Sequence, residues 1–256
     1  MNLLSEIVEG KVIPKNYGHI GHLPGSKMID VEDHLLGKDS IEILINRRRN
    51  PRDIVIVTEK LDGMNCGVLK RKGSLYPMVR KGYDVRTNPY AWIREFATFV
   101  SDNANRFANI LYENERLCGE WLLKTHTIQY DLHHEPFVAF DIINDKHQRE
   151  NYERFTKRIE AFDFIRPGLV HIGEAIDPSF AMKLLGAGYH GAIEGPEGVV
   201  YRYERWDEKE SVYKFECMGK FVANPIVGND EFFRGNDPVY NKLRSRFKKY
   251  IKDVIQ

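Results

Sequence analysis

A short β-branched run that leads into a lysine-containing turn constrains this sequence more than any other segment. The residues of 54–57 are all isoleucine or valine, which favours a buried strand. Asp62-Gly63 is typical of a turn, so the strand ends close to Lys60. The Lys60 amine is therefore expected at a strand end, within reach of a ligand. Lysine attacks only when it is deprotonated, and burial or nearby cations lower its pKa, which makes Lys60 a candidate nucleophile.

The composition is that of an ordinary globular protein. The chain has 256 residues, of which 42% are hydrophobic and 29% charged, enough for one large domain with a sizeable core. Its net charge is +1, so affinity for nucleic acid would come from local basic patches rather than from a global excess. A solvated charged face explains either patch equally well. The two patches are Arg47, Arg48, Arg49 and Arg52, and Lys242, Arg244, Arg246, Lys248, Lys249 and Lys252.

The cysteines and the N-terminus indicate the compartment. Cys66, Cys118 and Cys217 form no C-x-x-C pair, which argues for a reducing compartment and against a zinc site. Residues 1–6 lack the pattern of a signal peptide, and no apolar run approaches the length of a membrane span. We therefore expect a soluble cytoplasmic protein (in the host cytoplasm, if a phage or virus encodes it) without a membrane partner.

Strand patterns interrupted by helical patterns predict an α+β fold. Residues 66–70 and 75–80 indicate a β-hairpin around the turn at 71–74. Further strands are predicted over 116–121, 137–142, 198–203 and 211–215, and helices over 89–107, 150–162, 178–185 and 238–255. We place one domain over residues 1–235 and a basic C-terminal helix over residues 236–256.

Short motifs follow the lysine turn in an order that nucleotide chemistry can use. They are Val79-Arg80-Lys81-Gly82, Gly119-Glu120-Trp121-Leu122, residues 126–131, residues 137–142, and residues 197–202 with 212–215; His22-Leu23-Pro24-Gly25-Ser26 precedes them. Each motif alone is weak, but the ordered set resembles the motifs of the covalent nucleotidyltransferases, the polynucleotide ligases and mRNA capping enzymes. It is most similar to the ATP-dependent RNA ligases, over residues 17–222.

The resemblance implies a nucleotidyltransferase (ATP-grasp-like) domain, with twisted antiparallel sheets flanked by helices. About 35 residues remain after the last motif, too few for the OB-fold domain that follows the catalytic core of DNA ligases and capping enzymes. The resemblance therefore implies a chain with no C-terminal OB-fold.

Two lysines are the catalytic residues that the resemblance implies. Lys60 would attack the α-phosphate of ATP, release pyrophosphate and become a lysyl-AMP. Lys214 matches the first lysine of the last motif, which binds the α-phosphate. Many ligases have K-x-K there, whereas this chain has Lys214-Phe215-Glu216, so Lys220 is a candidate substitute for the second lysine. Two lysines around one phosphate would depress the pKa of Lys60 by like-charge repulsion.

Four further positions would bind the nucleotide. Glu59 is similar to a position that reads the adenine edge through its backbone. Arg80 would contact the ribose or a 5′-phosphate, and Glu120 a ribose hydroxyl. Phe140 would stack on adenine, with Phe137 on the opposite face of its strand. The alternatives are that Arg80 is an ordinary surface residue of the hairpin, that Glu120 binds no ligand, and that Phe140 belongs to the hydrophobic core.

Carboxylates and an amide complete the predicted site. Asp62 and Asn65 are similar to residues that organise the lysine, a water or a metal, although an Asx turn is an equal alternative. The resemblance assigns Glu197 to a divalent metal, Mg²⁺ or Mn²⁺, with Glu194 as the competing carboxylate.

The predicted function is that of an ATP- and Mg²⁺-dependent RNA ligase that joins a 5′-phosphate to a 3′-hydroxyl. The partners are ATP and RNA or DNA strand ends, and an end-healing kinase or phosphatase stays open as a further one. The alternatives are a minimal DNA ligase, a GTP-using guanylyltransferase of the capping type, and a non-catalytic nucleotide- or RNA-binding relative.

Overall fold

The computed structural model describes residues 10–28, 31–223 and 239–251. The strands in these residues are β1 (Ile54–Lys60), β2 (Met64–Arg71), β3 (Ser74–Val79), β4 (Arg116–Trp121), β5 (Asp131–Leu132), β6 (Phe137–Ile143), β7 (Leu169–Gly173), β8 (Gly198–Asp207), β9 (Val212–Val222) and β10 (Lys242–Leu243). The α-helices are α1 (Lys38–Ile41), α2 (Ala91–Asp102), α3 (Ala104–Ile110), α4 (Tyr152–Ala161) and α5 (Pro178–Leu185); a π-helical turn covers Glu42–Asn46, and 3₁₀ helices cover Val85–Thr87 and Ser245–Tyr250. Antiparallel sheets with interspersed helices confirm the predicted α+β class.

One antiparallel sheet has the strand order β7-β1-β8-β9. Side chains alternate along β1, so Val55 and Val57 lie on one face of the sheet and Ile56, Thr58 and Lys60 on the other. The first face packs against α5 and the π-helical turn. The core formed there includes Leu23, Ile43, Leu44, Ala181, Leu185, Val199, Tyr201 and Tyr203.

The second antiparallel sheet has the strand order β3-β2-β4-β6 and supports a larger, aromatic core. Phe99 of α2 lies against Trp121 of β4, with ring centroids 5.3 Å apart. Burial of each such ring stabilises the fold by roughly 1.5–3 kcal/mol. Fully buried rings of α2, α3, β4 and β6 meet here: Phe96, Phe99, Phe107, Trp121 and Phe137.

The hairpin of β2 and β3 is as predicted. Its two-residue turn, Lys72-Gly73, has φ angles of 51° and 71°. Positive φ at both positions is the type I′ geometry that matches the twist of paired strands. At the opposite end of the hairpin, the Arg80 N–H donates to the Asn65 carbonyl at 3.0 Å, so these two predicted site residues are neighbours.

The helix predicted over 89–107 is divided in two. α2 and α3 separate at Asn103, whose side-chain amide donates to the Phe99 carbonyl at 2.8 Å. Asparagine competes in this way with the helical backbone, and the apolar stripe carries no sign of it. The helices predicted over 150–162 and 178–185 are present as α4 and α5, whereas β7 and α1 were not predicted. No helix in the described ranges has the length and apolarity needed to cross a membrane.

The closing helix predicted over 238–255 is wrong for the residues that the structure describes there. Residues 239–251 form β10 and a 3₁₀ helix, while 238 and 252–255 lie outside the described residues. β10 pairs in parallel with β5, and Asn241 just before it is buried. These tertiary hydrogen bonds outweigh the helical periodicity of the segment.

Asn241 should be a strong determinant of stability. Its Oδ1 accepts from Thr125 Oγ1 and from the Tyr130 N–H, both at 2.8 Å, and its Nδ2 donates to the Leu122 carbonyl at 2.8 Å. Asn241→Ala leaves these groups buried and unpaired, so we expect a loss of about 2–4 kcal/mol in the free energy of unfolding. Urea denaturation measures it. Asn46→Ala, which removes one exposed side-chain hydrogen bond to Glu42, should cost under about 1 kcal/mol; equal losses would contradict the argument.

Candidate active site

The register of β1 against β8 brings Lys60 to Glu197. Lys60, the last residue of β1, lies opposite Gly198, the first residue of β8, so the residue before β8 stands beside the lysine. The Lys60 Nζ lies 2.5 Å from Glu197 Oε2. The side chains are only 20% and 12% exposed, so the ion pair is well shielded from solvent.

Carboxylates surround the Lys60 amine and keep it protonated. Burial lowers the pKa of Lys60, but Glu197, Glu120 and Asp62 together raise it above its ordinary value. Burial raises the pKa of Glu197 to about 7 and that of Glu120 to about 8, while Lys60 acts in the opposite direction. The depressed pKa expected for Lys60 is not found, because its nearest charged neighbours are carboxylates rather than lysines.

A cavity separates the two antiparallel sheets, and Lys60 lies at its edge. Its empty volume is about 1040 Å³, including the open space at its mouth. Predicted and unpredicted residues share its walls: Tyr17, Ile56, Glu59, Lys60, Asn65, Arg80, Glu120, Phe140, Arg166, Pro167, Arg202, Met218 and Lys220 are among them.

The Glu59 carboxylate points away from this cavity. Alternation places it on the same face of β1 as Val55 and Val57. Its Oε2 accepts from the Tyr189 N–H at 2.7 Å, and burial raises the pKa of Glu59 to about 7. The Glu59 N–H donates to the Gly168 carbonyl at 2.9 Å. Only the backbone of Glu59 is therefore placed to meet a ligand, and its predicted contact to adenine stays a prediction.

Asn65, Arg80, Glu120 and Phe140 all line the cavity. Asn65 Oδ1 and Arg80 Nε are buried without a hydrogen-bond partner among the described residues, which suits a polar ligand. Glu120 Oε1 accepts from the Gly63 N–H at 3.2 Å. Phe140 meets Tyr17 edge to face at 4.9 Å, whereas Phe137 is in the core, as their expected opposite orientation requires.

Asp62 fixes the turn after Lys60 and borders the second cavity at Lys60 rather than the first. Its Oδ2 accepts from the Thr127 N–H at 2.6 Å, the Thr127 hydroxyl at 2.8 Å and the Ile128 N–H at 2.7 Å. Its own N–H donates to the Tyr130 hydroxyl at 3.0 Å. The carboxylate thereby fixes the segment after Lys60 and adds to the negative charge near it.

Lys214 needs a correction, because the structure does not bring it to the other predicted residues. It lies near the opposite end of β9, where its Nζ contacts Asp207 at 2.8 Å and Glu210 at 2.6 Å. Lys214 is six residues from Lys220 along β9, whereas the residues of β9 that line the cavity are Met218 and Lys220. A β-bulge also changes the face that its side chain takes: Tyr203 pairs with Cys217, but Glu204 pairs with Phe215, so Phe215 rather than Lys214 faces the second sheet, under the Arg202 guanidinium at 5.0 Å.

Lys220 occupies the place expected for Lys214. With Met218, it lies on the cavity side of β9 and lines the cavity. Their two-residue spacing is that of the K-x-K pattern, with methionine in the first position.

Comparison with known proteins identifies the family. A family model described as RNA ligase matches residues 53–216, well over half of the chain. The chain belongs to the RNA ligase family. This confirms the resemblance in the sequence.

Solved RNA ligase structures are similar at low identity. A Naegleria gruberi RNA ligase mutant with ATP and Mn has 17% identity and a TM-score of 0.49, covering 68% of this chain and 51% of that chain. An archaeal ATP-dependent RNA ligase has 18% identity and a TM-score of 0.46, covering 67% of this chain and 43% of that chain. The chain thus spans about half the length of these structures or less. No curated protein matches it.

A buried polar network ties the two sheets together at the back of the cavity, and sequence reasoning missed it. Asp141 of β6 pairs with Arg149, and with Arg202 of β8 at 3.3 Å. The Tyr17 hydroxyl donates to Asp141 at 3.2 Å and accepts from Arg149 at 2.7 Å. Asp141 and Arg202 belong to quoted motifs, but their spacing does not reveal that they meet.

The basic patches differ in how they are neutralised. In the first, Arg48, Arg49 and Arg52 each pair with a glutamate, which favours the reading of a solvated charged face. In the second, Lys249 pairs with Asp102. Lys252 lies outside the described residues.

A second cavity adjoins the first at Lys60. The two share Lys60, Leu61, Asn65, Arg80 and Glu120. The second is also bordered by Lys81, Tyr83, Asn88 and Trp92. Lys124 lies 4.8 Å above the Trp92 ring, and no carboxylate pairs with it in the part of the chain that the structure describes. This side of Lys60 therefore combines cations with an aromatic plane.

The residues fit a divalent metal only if phosphate oxygens share in holding it. Among the described residues, no group of three or more histidine, cysteine, aspartate or glutamate side chains is arranged to bind a metal. Mg²⁺ typically takes one or two carboxylates and completes its shell with water and substrate phosphates. Glu197, beside Lys60, is a carboxylate of that kind, and its metal role stays a prediction.

Glu59 should make stability depend on pH. Its raised pKa of about 7 favours the folded state fully below pH about 4.5, and that contribution is lost as the pH rises through 7. Glu59→Gln removes the titration. We expect the free energy of unfolding of the variant, relative to wild type, to rise by about 3 kcal/mol between pH 4.5 and pH 8. Urea denaturation at both pH values tests this, and an unchanged difference would contradict it.

Proposed function

We propose that this chain is an ATP- and divalent-metal-dependent RNA ligase that joins 5′-phosphate and 3′-hydroxyl ends through a lysyl-AMP. The observation that carries the proposal is the position of Lys60, in a chain of the RNA ligase family: it stands where two cavities meet, beside Glu197. The cavity between the sheets suits the nucleotide, and the second cavity suits the end of a nucleic-acid strand. ATP is the nucleotide held in the similar Naegleria structure, together with Mn.

In the first step, Lys60 receives AMP. The ammonium must separate from Glu197 and lose a proton before its nitrogen can attack the α-phosphorus of ATP. The N–P bond forms, the bond to pyrophosphate breaks, and the nitrogen loses a second proton. The cations Arg80 and Lys220 line the same cavity and would offset the phosphate charge. A divalent cation held by Glu197 and the phosphates would supply further charge neutralisation.

In the second and third steps, AMP passes to the strand and is then displaced. A 5′-phosphate oxygen attacks the AMP phosphorus, the P–N bond breaks, and the Lys60 nitrogen takes up two protons to become an ammonium again. A 3′-hydroxyl then attacks the activated 5′-phosphorus, its proton is released to solvent, and AMP leaves. The second cavity supports this sequence, because it reaches Lys60 separately from the first. Arg80 and Lys81 suit phosphate there, and Trp92 offers a plane on which a terminal base can stack.

Several finer features stay predictions of the sequence alone. They are the preference for RNA over DNA, the cytoplasmic location, an end-healing partner, the absence of an OB-fold, and the domain boundary at 235/236.

Transfer of label from nucleotide to protein tests the proposal. Wild type and Lys60→Ala are incubated with Mg²⁺ and either α-labelled ATP or α-labelled GTP. We expect a denaturation-stable adduct with wild type and ATP only. Lys214→Ala is the matched lysine control and should retain the adduct, since Lys214 lies outside the cavity.

Each other result has a definite meaning. An adduct from GTP would favour a capping-type enzyme. No adduct from either nucleotide, in folded protein whose intact mass shows no prior adenylylation, would favour a non-catalytic binding relative. Nicks with RNA or DNA at the 3′-hydroxyl side then separate an RNA ligase from a DNA ligase.

Trp92→Ala tests the second cavity. Loss of a stacking plane worth about 1–3 kcal/mol should lower strand joining about tenfold relative to adenylylation of Lys60. Quantified gel assays of both steps give the ratio. Phe180→Ala, which removes an exposed aromatic ring on α5, should leave the ratio unchanged. Equal losses in both steps for Trp92→Ala would show that the ring stabilises the fold and does not bind the nucleic-acid strand.

A further inference from the structure

Residues 21–23 lie along the edge of β9, next to Lys220. The Leu23 N–H donates to the Lys220 carbonyl at 2.8 Å, and the Lys220 N–H donates to the Gly21 carbonyl at 2.9 Å. His22 is thus paired in parallel with Lys220. Directly paired residues of adjacent strands project their side chains to the same face, so the imidazole and the ammonium are side by side.

Asp33 joins these two side chains. Its Oδ1 lies 2.9 Å from the Lys220 Nζ and 2.9 Å from His22 Nε2. The side chains of His22 and Asp33 are 1% and 10% exposed, so the contact is largely shielded from water. The same oxygen of Asp33 therefore contacts both Lys220, which lines the cavity, and the buried His22.

Ser26 contacts the other nitrogen of the His22 ring. Ser26 Oγ accepts from the Val222 N–H at 2.9 Å, and it lies 2.6 Å from His22 Nδ1. Burial lowers the pKa of His22, which agrees with a neutral ring. A continuous series of polar contacts therefore runs from the backbone of β9 through Ser26 and His22 to Asp33.

We propose that His22 and Asp33 are positioning residues for Lys220, and that they hold its ammonium where the α-phosphate of the nucleotide is transferred. This inference rests on the proposed function. Asp33 fixes the direction of the lysine side chain, and His22 fixes Asp33. His22 stays beside Asp33 when Lys220 turns to phosphate, because its buried ring is held by Ser26.

If this is so, loss of Asp33 should change the rate of lysine adenylylation without weakening the binding of pyrophosphate. Asp33→Asn removes a negative charge beside the phosphate site, so pyrophosphate should bind at least as tightly as it does to wild type. The same change releases Lys220 from its fixed direction, so the rate of lysine adenylylation at saturating ATP should fall about tenfold. A purely structural role would weaken binding and slow the reaction together.

A double-mutant cycle between Asp33→Asn and Lys220→Met measures the coupling. Adenylylation is followed with α-labelled ATP, and pyrophosphate binding by calorimetry. In the Lys220→Met background, Asp33→Asn should have no further effect on the rate. His22→Gln, whose amide can still donate to Asp33, should retain more of the rate than His22→Ala.

Asp207→Asn is the matched control. Asp207 pairs with Lys214 at 2.8 Å at the opposite end of the same strand, so its loss should change neither the rate nor the binding of pyrophosphate. Thermal unfolding of every variant verifies that it is folded.

The outcomes distinguish this inference from the proposed function. If wild type is adenylylated but the effects of Asp33→Asn and Lys220→Met on the rate simply multiply, the positioning role is overturned and the ligase stands. If wild type is not adenylylated, the ligase proposal fails. The positioning inference, which concerns the rate of that reaction, then fails with it, and loss of pyrophosphate binding in Lys220→Met would show only that Lys220 binds phosphate.

Discussion

The ion pair of Lys60 and Glu197 is the interaction on which the rest of the site depends. It exists because β1 ends and β8 begins at the same level of one sheet. Such a pair, taken largely out of water, fixes both side chains at the edge of the cavity but also holds the amine in its unreactive, protonated form. In the proposed reaction, binding of the nucleotide must therefore separate Lys60 from Glu197 and allow its amine to lose a proton.

The cavity exists because each sheet has a hydrophobic core on its outer side. The aromatic core behind the second sheet and the smaller core behind the first leave two inner faces opposite each other. Polar side chains on those faces meet in the buried network of Asp141, Arg149, Arg202 and Tyr17. The network holds the faces together at one end, and the other end stays open for a ligand.

Local patterns in the sequence predicted what depends on local structure. The hairpin and most strands follow from turn residues and alternation, and the resemblance to RNA ligases in the ordered motifs implied Lys60, Arg80, Glu120 and Phe140, which all line the cavity. The structure places Lys214 and residues 239–251 differently from the prediction, and both differences depend on distant strands. The register of β9 is set by its pairing with β8, and that of β10 by its pairing with β5, and neither pairing can be recognised in the segment itself. The joining of His22 to Lys220 through Asp33 is equally non-local.

The bulge in β9 also bears on how such chains change over time. A strand that gains or loses one residue at a bulge keeps its hydrogen bonds on both sides, yet everything beyond the bulge exchanges inside for outside. Two relatives with lysines in different columns of an alignment can therefore present the same charge to a ligand, and two with matching columns can differ. For this strand, the face that a lysine takes depends on the bulge as well as on its distance along the chain.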